Sequence, residues 1–217
     1  MLGAYPEPMS EGHRLFAWGY DAIARRAEAR DGSLERRRDA LAGARGRVLE
    51  VGAGTGLNLQ HYPPEQVTEV LATEPDPYMF RRLARALERA PAPTRLQRAS
   101  AEALPVADGW ADTVVLWLVL CSVPDQDVAL REIRRVLAPS GRLIVCEHVR
   151  SQNPRSARRQ DRWARPWGWV GAGCHPNRDT AAAIERAGFA FDELERFDVR
   201  GSALANPHIR GVATVSR

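Results

Sequence analysis

Val48-Leu49-Glu50-Val51-Gly52-Ala53-Gly54-Thr55-Gly56 is a short apolar run that ends in three alternating glycines. With Arg47 in front of it, the run predicts a strand, Arg47 to Val51, entering a sharp turn. Glycine lacks a Cβ, so the chain can turn tightly there and a ligand can lie against bare main chain. Dinucleotide-binding proteins place G-x-G-x-x-G at the same point. Here the spacing is G-x-G-x-G, and Glu50 stands two residues before the first glycine. A carboxylate there crowds a pyrophosphate but can pair with a cationic amino-acid ligand, directly or through water. The plain alternative is a tight turn with a solvated Glu50.

Outward from the turn, strand and helix signals alternate as far as residue 149. Val67 to Thr73 and Thr94 to Ala99 read as strands, with Pro77 to Arg89 as the helix between them. Asp112 to Leu120 is a β-branched apolar run of the kind buried on both faces of a sheet. Asp125 to Leu137 puts Leu130, Ile133 and Leu137 on one helical side, Pro139-Ser140-Gly141 reads as a turn, and Arg142 to Val149 as a fifth strand. This alternation predicts an α/β fold, a doubly wound, Rossmann-like parallel sheet with right-handed crossovers.

Upstream, Phe16, Tyr20, Ile23 and Ala27 recur at helical spacing within His13 to Arg30. Ser33 is placed to cap a second helix through Leu41, with Arg36, Arg37 and Arg38 on its wet face. Downstream, Thr180 to Ala187 predicts a helix ended by Gly188. Phe189 to Val199 and Ile209 to Ser216 read as strands six and seven. The link between them is too short for a parallel crossover, so an antiparallel hairpin is expected.

The chain has 217 residues, 44% hydrophobic and 27% charged, which fits one globular domain with a substantial core. All 31 basic residues are arginine, at a net charge of +4. The absence of lysine excludes Schiff-base and P-loop lysine chemistry. Cys121, Cys146 and Cys174 are too scattered for a disulfide framework, and no histidine, cysteine and carboxylate group has metal-ligand spacing. No metal is therefore expected. No secretory leader is read in Met1 to Ser10, and the apolar run from Val114 to Val123 is about half a membrane span. A reduced, cytoplasmic protein is the expectation.

Glu74 closes the second strand, twenty residues beyond Gly54. A carboxylate there accepts hydrogen bonds from ribose hydroxyls, so the two features describe an adenosine-type ligand across the carboxyl ends of the strands. Ala101-Glu102-Ala103-Leu104-Pro105, Asp108-Gly109-Trp110-Ala111-Asp112 and Leu137-Ala138-Pro139-Ser140-Gly141 follow in order. With them the chain, from about residue 12 to residue 217, resembles the class I S-adenosylmethionine-dependent methyltransferases. The resemblance implies a seven-stranded sheet and S-adenosylmethionine as cofactor. It implies cofactor contacts from Tyr20, Glu50, Gly52, Ala53, Gly54, Thr55, Gly56, Asn58, Glu74, Pro75, Ser100, Ala101, Glu102 and Leu118. Ser100 stands where many members carry an acid that meets the adenine; Glu102 or a backbone group is the substitute. Leu118 to Val123, Glu147-His148-Val149, Gly173-Cys174-His175 and Pro207-His208-Ile209 narrow the likeness. They resemble a bacterial branch related to the animal methyltransferase-like thiol S-methyltransferases.

The domain divides into an N-terminal helical cap (1–46), a cofactor-binding core (47–149), a lid-like insertion (150–178) and a C-terminal helix and hairpin (179–217). Methyl transfer from a sulfonium is an in-line displacement that needs alignment and dryness. A thiol is the first choice of acceptor; a hydroxyl or amine on a small metabolite, quinone-like molecule or phospholipid comes next, and a non-catalytic cofactor binder is the competing class. His148, His175 and His208 are the candidate bases, each of which could equally be a core or capping histidine. Cys121 reads as a small hydrophobe. Arg150, Arg155, Arg158, Arg159, Arg162 and Arg165, interleaved with Trp163, Trp167 and Trp169, read first as a lid. Transient membrane-surface contact through 150–169 is the second reading, and nucleic acid is not expected as a partner.

Overall fold

The computed structural model describes residues 32–199 and 204–216, together with Gly19. Among these, seven strands form one sheet: β1 (Gly46–Val51), β2 (Val67–Thr73), β3 (Thr94–Gln97), β4 (Ala111–Trp117), β5 (Leu137–His148), β6 (Phe189–Asp198) and β7 (Pro207–Val215). Their order is β3-β2-β1-β4-β5-β7-β6. The first five are parallel, and β7 runs antiparallel to both β5 and β6. The order reverses between β1 and β4, so their carboxyl ends diverge and open a crevice at the sheet edge.

Among the described residues, helices α1 (Ser33–Ala42), α2 (Pro77–Ala86), α3 (Gln126–Val136), α4 (Pro154–Val170) and α5 (Thr180–Arg186) accompany the sheet. Alternate residues of each central strand point to opposite faces. Leu49, Leu116 and Leu143 pack with Leu130 and Ile133 of α3 and Ile184 of α5. Val48, Val70, Val115 and Ile144 pack with Leu41 of α1 and Leu83 of α2. Side chains start most of the helices: Asp76 accepts from the N–H groups of Tyr78 and Met79, and Asp125 from those of Asp127 and Val128.

Several local expectations change. The cap position of α1 is Gly32, at φ 74°, with no side-chain cap bond, so Ser33 is the first helical residue. Arg37 is buried rather than solvated, because its side chain turns inward over the ring of Trp117. The helix from Pro77 ends at Ala86, and Leu87–Arg89 tightens into a 3₁₀ turn. The Pro139–Gly141 turn is absorbed into β5, which slips against β4 between the pairs Ala111–Leu137 and Thr113–Arg142. The helix expected from His13 to Arg30 lies outside the described residues apart from Gly19.

The insertion is α4 and the loop behind it. Ala157, Gln160 and Ala164 form its buried stripe. Gln160 holds the helix in place: its two amide hydrogens are shared among the carbonyls of Val149, Pro176 and Leu204, all within hydrogen-bond distance, and its carbonyl accepts from Ser151 N–H. Replacing Gln160 by Ala removes its hydrogen bonds to these backbone groups, each worth about 1 kcal/mol. Gln160→Ala is expected to lower unfolding free energy by about 2–3 kcal/mol in urea titration. Arg159→Ala, on the exposed face of α4, should change it far less.

Candidate active site

A cavity of about 710 Å³ occupies the crevice at the carboxyl ends of β1, β2, β4 and β5. Glu50, Gly52, Ala53, Gly54, Thr55, Asn58, Glu74, Pro75, Ser100, Ala101, Glu102 and Leu118 all line it. Two further residues were expected there. Tyr20 lies outside the described residues. Gly56 faces the helix instead: a Cβ on it would meet Ala86 at 2.7 Å and Leu83 at 2.9 Å, so it serves the packing of α2. Gly54 is the opposite case. At φ 59° it has nothing within 4 Å of a Cβ, which would project into the open cavity.

Beneath the glycine turn lies a buried polar chain. Asn58 donates to Glu50 at 2.8 Å, Tyr62 donates to Glu50 at 2.9 Å, and Arg37 donates to Asn58. The Arg37 guanidinium lies 4.5 Å from the Trp117 ring centre. Burial pushes the Glu50 carboxyl up to about 7, although Tyr62, Asn58 and Arg37 favour its charge. Glu74 accepts from Gly54 N–H at 2.8 Å and Asp76 N–H at 2.9 Å, and burial raises it to about 7 as well. The Thr55 hydroxyl is buried without a hydrogen-bond partner among the described residues. Ser100 donates to Glu102 at 2.8 Å, so these two form one polar unit at the far end.

The other wall is the loop after β4. Leu118 holds a left-handed conformation at φ 60°, a strained geometry for a residue with a branched side chain, and Ala172 opposite does the same at φ 50°. Glu147 accepts from the N–H groups of Val119, Leu120 and Cys121 at 2.7, 2.9 and 3.2 Å. Burial raises its carboxyl to about 7 despite those donors. Arg178 donates to the carbonyls of Leu120 and Val123, both at 2.7 Å. His175 N–H donates to the Cys121 carbonyl at 2.7 Å.

Of the three candidate histidines, His148 lines the cavity and the other two do not. His208 packs edge-on against it, ring centres 4.5 Å apart, with its own Nδ1 2.8 Å from the Asn206 carbonyl. The contribution of His175 to the loop is its backbone. His148 Nδ1 lies 3.4 Å from Cys174 Sγ. Cys121 and Cys174 also interact: that contact, with burial, raises the Cys121 thiol, and it lowers the Cys174 thiol, which His148 lowers further. The absence of metal-ligand spacing along the chain therefore does not describe the fold, which joins these three groups from separate segments. Trp167 of α4 completes the wall, whereas Trp163 and Trp169 are 50% and 86% exposed.

Arg37, Trp117, Glu147 and Cys174 were not among the expected site residues, whereas Trp167 was expected as one of the lid tryptophans. The arginine triplet of α1 carries no mark that one member turns inward. Cys174 was hidden in a motif whose interest lay in its histidine.

A family model described as a methyltransferase domain matches residues 49–145. The chain is 36% identical over 196 residues to thiol S-methyltransferase TMT1B of Homo sapiens, covering 87% of this chain and 80% of that one. It belongs to the class I S-adenosylmethionine-dependent methyltransferases. The methyltransferase is also 34% identical over 145 residues to the ubiquinone/menaquinone biosynthesis C-methyltransferase UbiE of Syntrophotalea carbinolica, covering 65% of this chain and 57% of that one. Its fold matches that of a SAM dependent methyltransferase from Aquifex aeolicus with a TM-score of 0.66 at 14% identity, over 94% and 100% of the two chains.

The cavity fits the cofactor of that family. Glu50 and Glu74 offer carboxylates, Gly54 bare backbone, and Thr55 a hydroxyl lacking a partner among the described residues. Gly54→Asp adds a Cβ with nothing within 4 Å, at a left-handed φ of 59° that aspartate tolerates better than most residues, and should leave the thermal midpoint within a few degrees while reducing S-adenosylmethionine affinity at least about tenfold by calorimetry. A cation binds better to the ionised acid, so affinity should rise as pH increases through about 7. Glu50→Gln should flatten that rise.

Proposed function

We propose that this methyltransferase methylates a thiol on a small, largely apolar acceptor. The observation that carries the reading is the reach of the likeness to thiol S-methyltransferase TMT1B. At 196 residues it extends well past the matched domain of 49–145 and so takes in acceptor-side segments as well as the donor site. When bound, S-adenosylmethionine supplies an electrophilic methyl group on a sulfonium.

In this reading Glu74 accepts the ribose hydroxyls, and Glu50, steadied by Asn58 and Tyr62, faces the cationic amino-acid end. Gly52 and Gly54 let the main chain approach, and Ser100 with Glu102 borders the adenine. The acceptor enters beside Leu118, Cys121, His148 and Trp167, where apolar walls exclude water. A thiol ionises near pH 8.5, far below an alcohol, so a wall that favours the thiolate suffices. His148 is the histidine placed to influence that proton, and His208 steadies its ring as a positioning residue.

The outer face of α4 supports a route for apolar acceptors. Exposed Trp163 and Trp169 stand among Arg155, Arg158, Arg159, Arg162 and Arg165, a combination suited to resting on a membrane surface. Among the described residues no helix is long and apolar enough to cross a membrane. Free, buried cysteines suit a reducing compartment such as the cytoplasm.

The likeness to UbiE supports carbon methylation of a quinone-like ring as the second reading. Incubation with S-adenosylmethionine and a panel comprising an alkyl thiol, a phenol, an amine and a reduced quinone separates them. Mass spectrometry is expected to find the methyl thioether as the main product. A methylated quinone alone would favour the second reading, and no product from any acceptor would make the protein a cofactor binder.

A further inference from the structure

Cys121, His148 and Cys174 stand 27 and 26 residues apart in the chain and come from three segments: the loop after β4, the end of β5 and the loop after α4. Their ligating atoms all lie within 4.8 Å of one another, and all three residues line the cavity. Both thiols are almost wholly buried, at 1% and 6% exposure, so the group is closed behind and open only toward the cavity.

A tetrahedral zinc with bonds of about 2.3 Å to sulfur and about 2.0 Å to nitrogen sets the S···N edge near 3.5 Å. The observed edge between Cys174 Sγ and His148 Nδ1 is 3.4 Å. Two thiolates and an imidazole form a donor set that suits zinc. Three protein ligands with a vacant fourth direction is the composition of a catalytic site, since structural zinc takes four.

The cluster is also held in place by its own neighbours. Cys121 gives its N–H to Glu147, next to His148, and its carbonyl accepts from His175, next to Cys174. Arg178 clamps the flanking carbonyls of Leu120 and Val123. The Cys121 backbone is thus held by the residues next to both other ligands, the kind of support that sets metal geometry in advance.

We propose that Cys121, His148 and Cys174 bind a zinc ion whose fourth position takes the sulfur of the acceptor, a role that rests on the thiol reading above. On binding, the acceptor S–H bond breaks, its electron pair forms the bond to zinc and the proton leaves to water. The thiolate sulfur then forms its bond to the methyl carbon as that carbon's bond to the sulfonium breaks, the pair remaining on the donor sulfur. The neutral thioether is a weak zinc ligand and is released. His148 here acts as a ligand, and no separate base is required.

The test uses the full chain, purified under reduction, stripped with a chelator and titrated with Co(II) and Zn(II). Co(II) is expected to bind at one equivalent with an ultraviolet sulfur-to-metal charge-transfer band, displaced by Zn(II). An excess of alkyl thiol is expected to shift the visible cobalt bands. Cys174→Ser and His148→Gln should each weaken Zn(II) binding by at least about a hundredfold, since loss of mere outer partners already costs about 10–100-fold. Wild-type protein that gives no charge-transfer band overturns the site without recourse to any variant, and cobalt bands unmoved by thiol overturn its role toward the acceptor. Methyl transfer to the thiol should vanish on stripping and return with Zn(II). Metal-free protein transferring at full rate overturns the proposal while leaving the thiol reading intact. A cobalt spectrum that responds to thiol with no thiol methylated by the Zn(II)-loaded protein overturns the acceptor reading and the site's part in it, while the ligand set stands.

Discussion

A carboxylate with three backbone donors holds the catalytic end of this sheet together. Glu147 sits in the interior at the end of β5 and collects the N–H groups of Val119, Leu120 and Cys121. These groups belong to a segment that has left β4 and has no sheet partner to satisfy it. A buried backbone group without a partner costs as much as a lost hydrogen bond, so such a loop can be buried only if something inside accepts from it. Arg178 and His175 complete the accounting by donating to the carbonyls of the same loop. The loop can then hold Leu118 in a left-handed conformation and turn Cys121 toward the cavity. Without Glu147, neither the cavity wall nor the Cys121–His148–Cys174 cluster would have a reason to keep its shape.

The parts that could be read from the sequence are those governed by local rules. Alternating glycines after Val51, the acid at Glu74 and the β-branched run in β4 each report a backbone constraint or a burial pattern within a few residues. They placed every strand but β5 to within three residues, β5 starting at Leu137 rather than Arg142, and twelve of the fourteen cofactor contacts that the family resemblance implied line the cavity. What stayed hidden depends on contacts between distant segments. Arg37 is one of three consecutive arginines, and only the position of Trp117 and Asn58 draws it inward, while Arg36 is half-buried against Phe197 and Glu195 and Arg38 is exposed. Ser33 has the chemistry of a cap, but the left-handed Gly32 before it starts the helix by another route. Spacing rules for metal ligands cannot see Cys121, His148 and Cys174, since they describe ligands supplied by one local motif.

The arginines divide in the same way. Arg37, Arg135 and Arg178 are structural: Arg135 binds Glu132, Asp108 and the carbonyls of Leu104 and Val106, tying α3 to the segment before β4. Arg150 pairs with Asp161 and fixes the entry to α4. The remaining arginines of α4 face outward, and the tryptophans among them split between two tasks. Trp167 borders the cavity while Trp163 and Trp169 meet solvent. One helix therefore serves as wall on its inner side and as an exposed aromatic and basic surface on its outer side. The net charge of +4 is a poor guide to either.

Three buried acids, Glu50, Glu74 and Glu147, are each raised from the ordinary carboxylate value to about 7. Between pH 4.5 and 7 the folded chain keeps protons that the unfolded chain gives up, so these groups make stability fall as pH rises through that window. Above it all three are charged in both states, and the cost of burying the charge is borne in full. For Glu147 the three N–H donors offset part of that cost whether or not a ligand is present. Glu50 and Glu74 are likewise offset only in part, by Tyr62, Asn58 and Arg37 and by the Gly54 and Asp76 N–H groups, but unlike Glu147 they line the cavity, where a cation would offset the rest. The free site is thus electrostatically unfinished near neutral pH. That shortfall favours a ligand that brings positive charge to these carboxylates over a neutral one of the same shape.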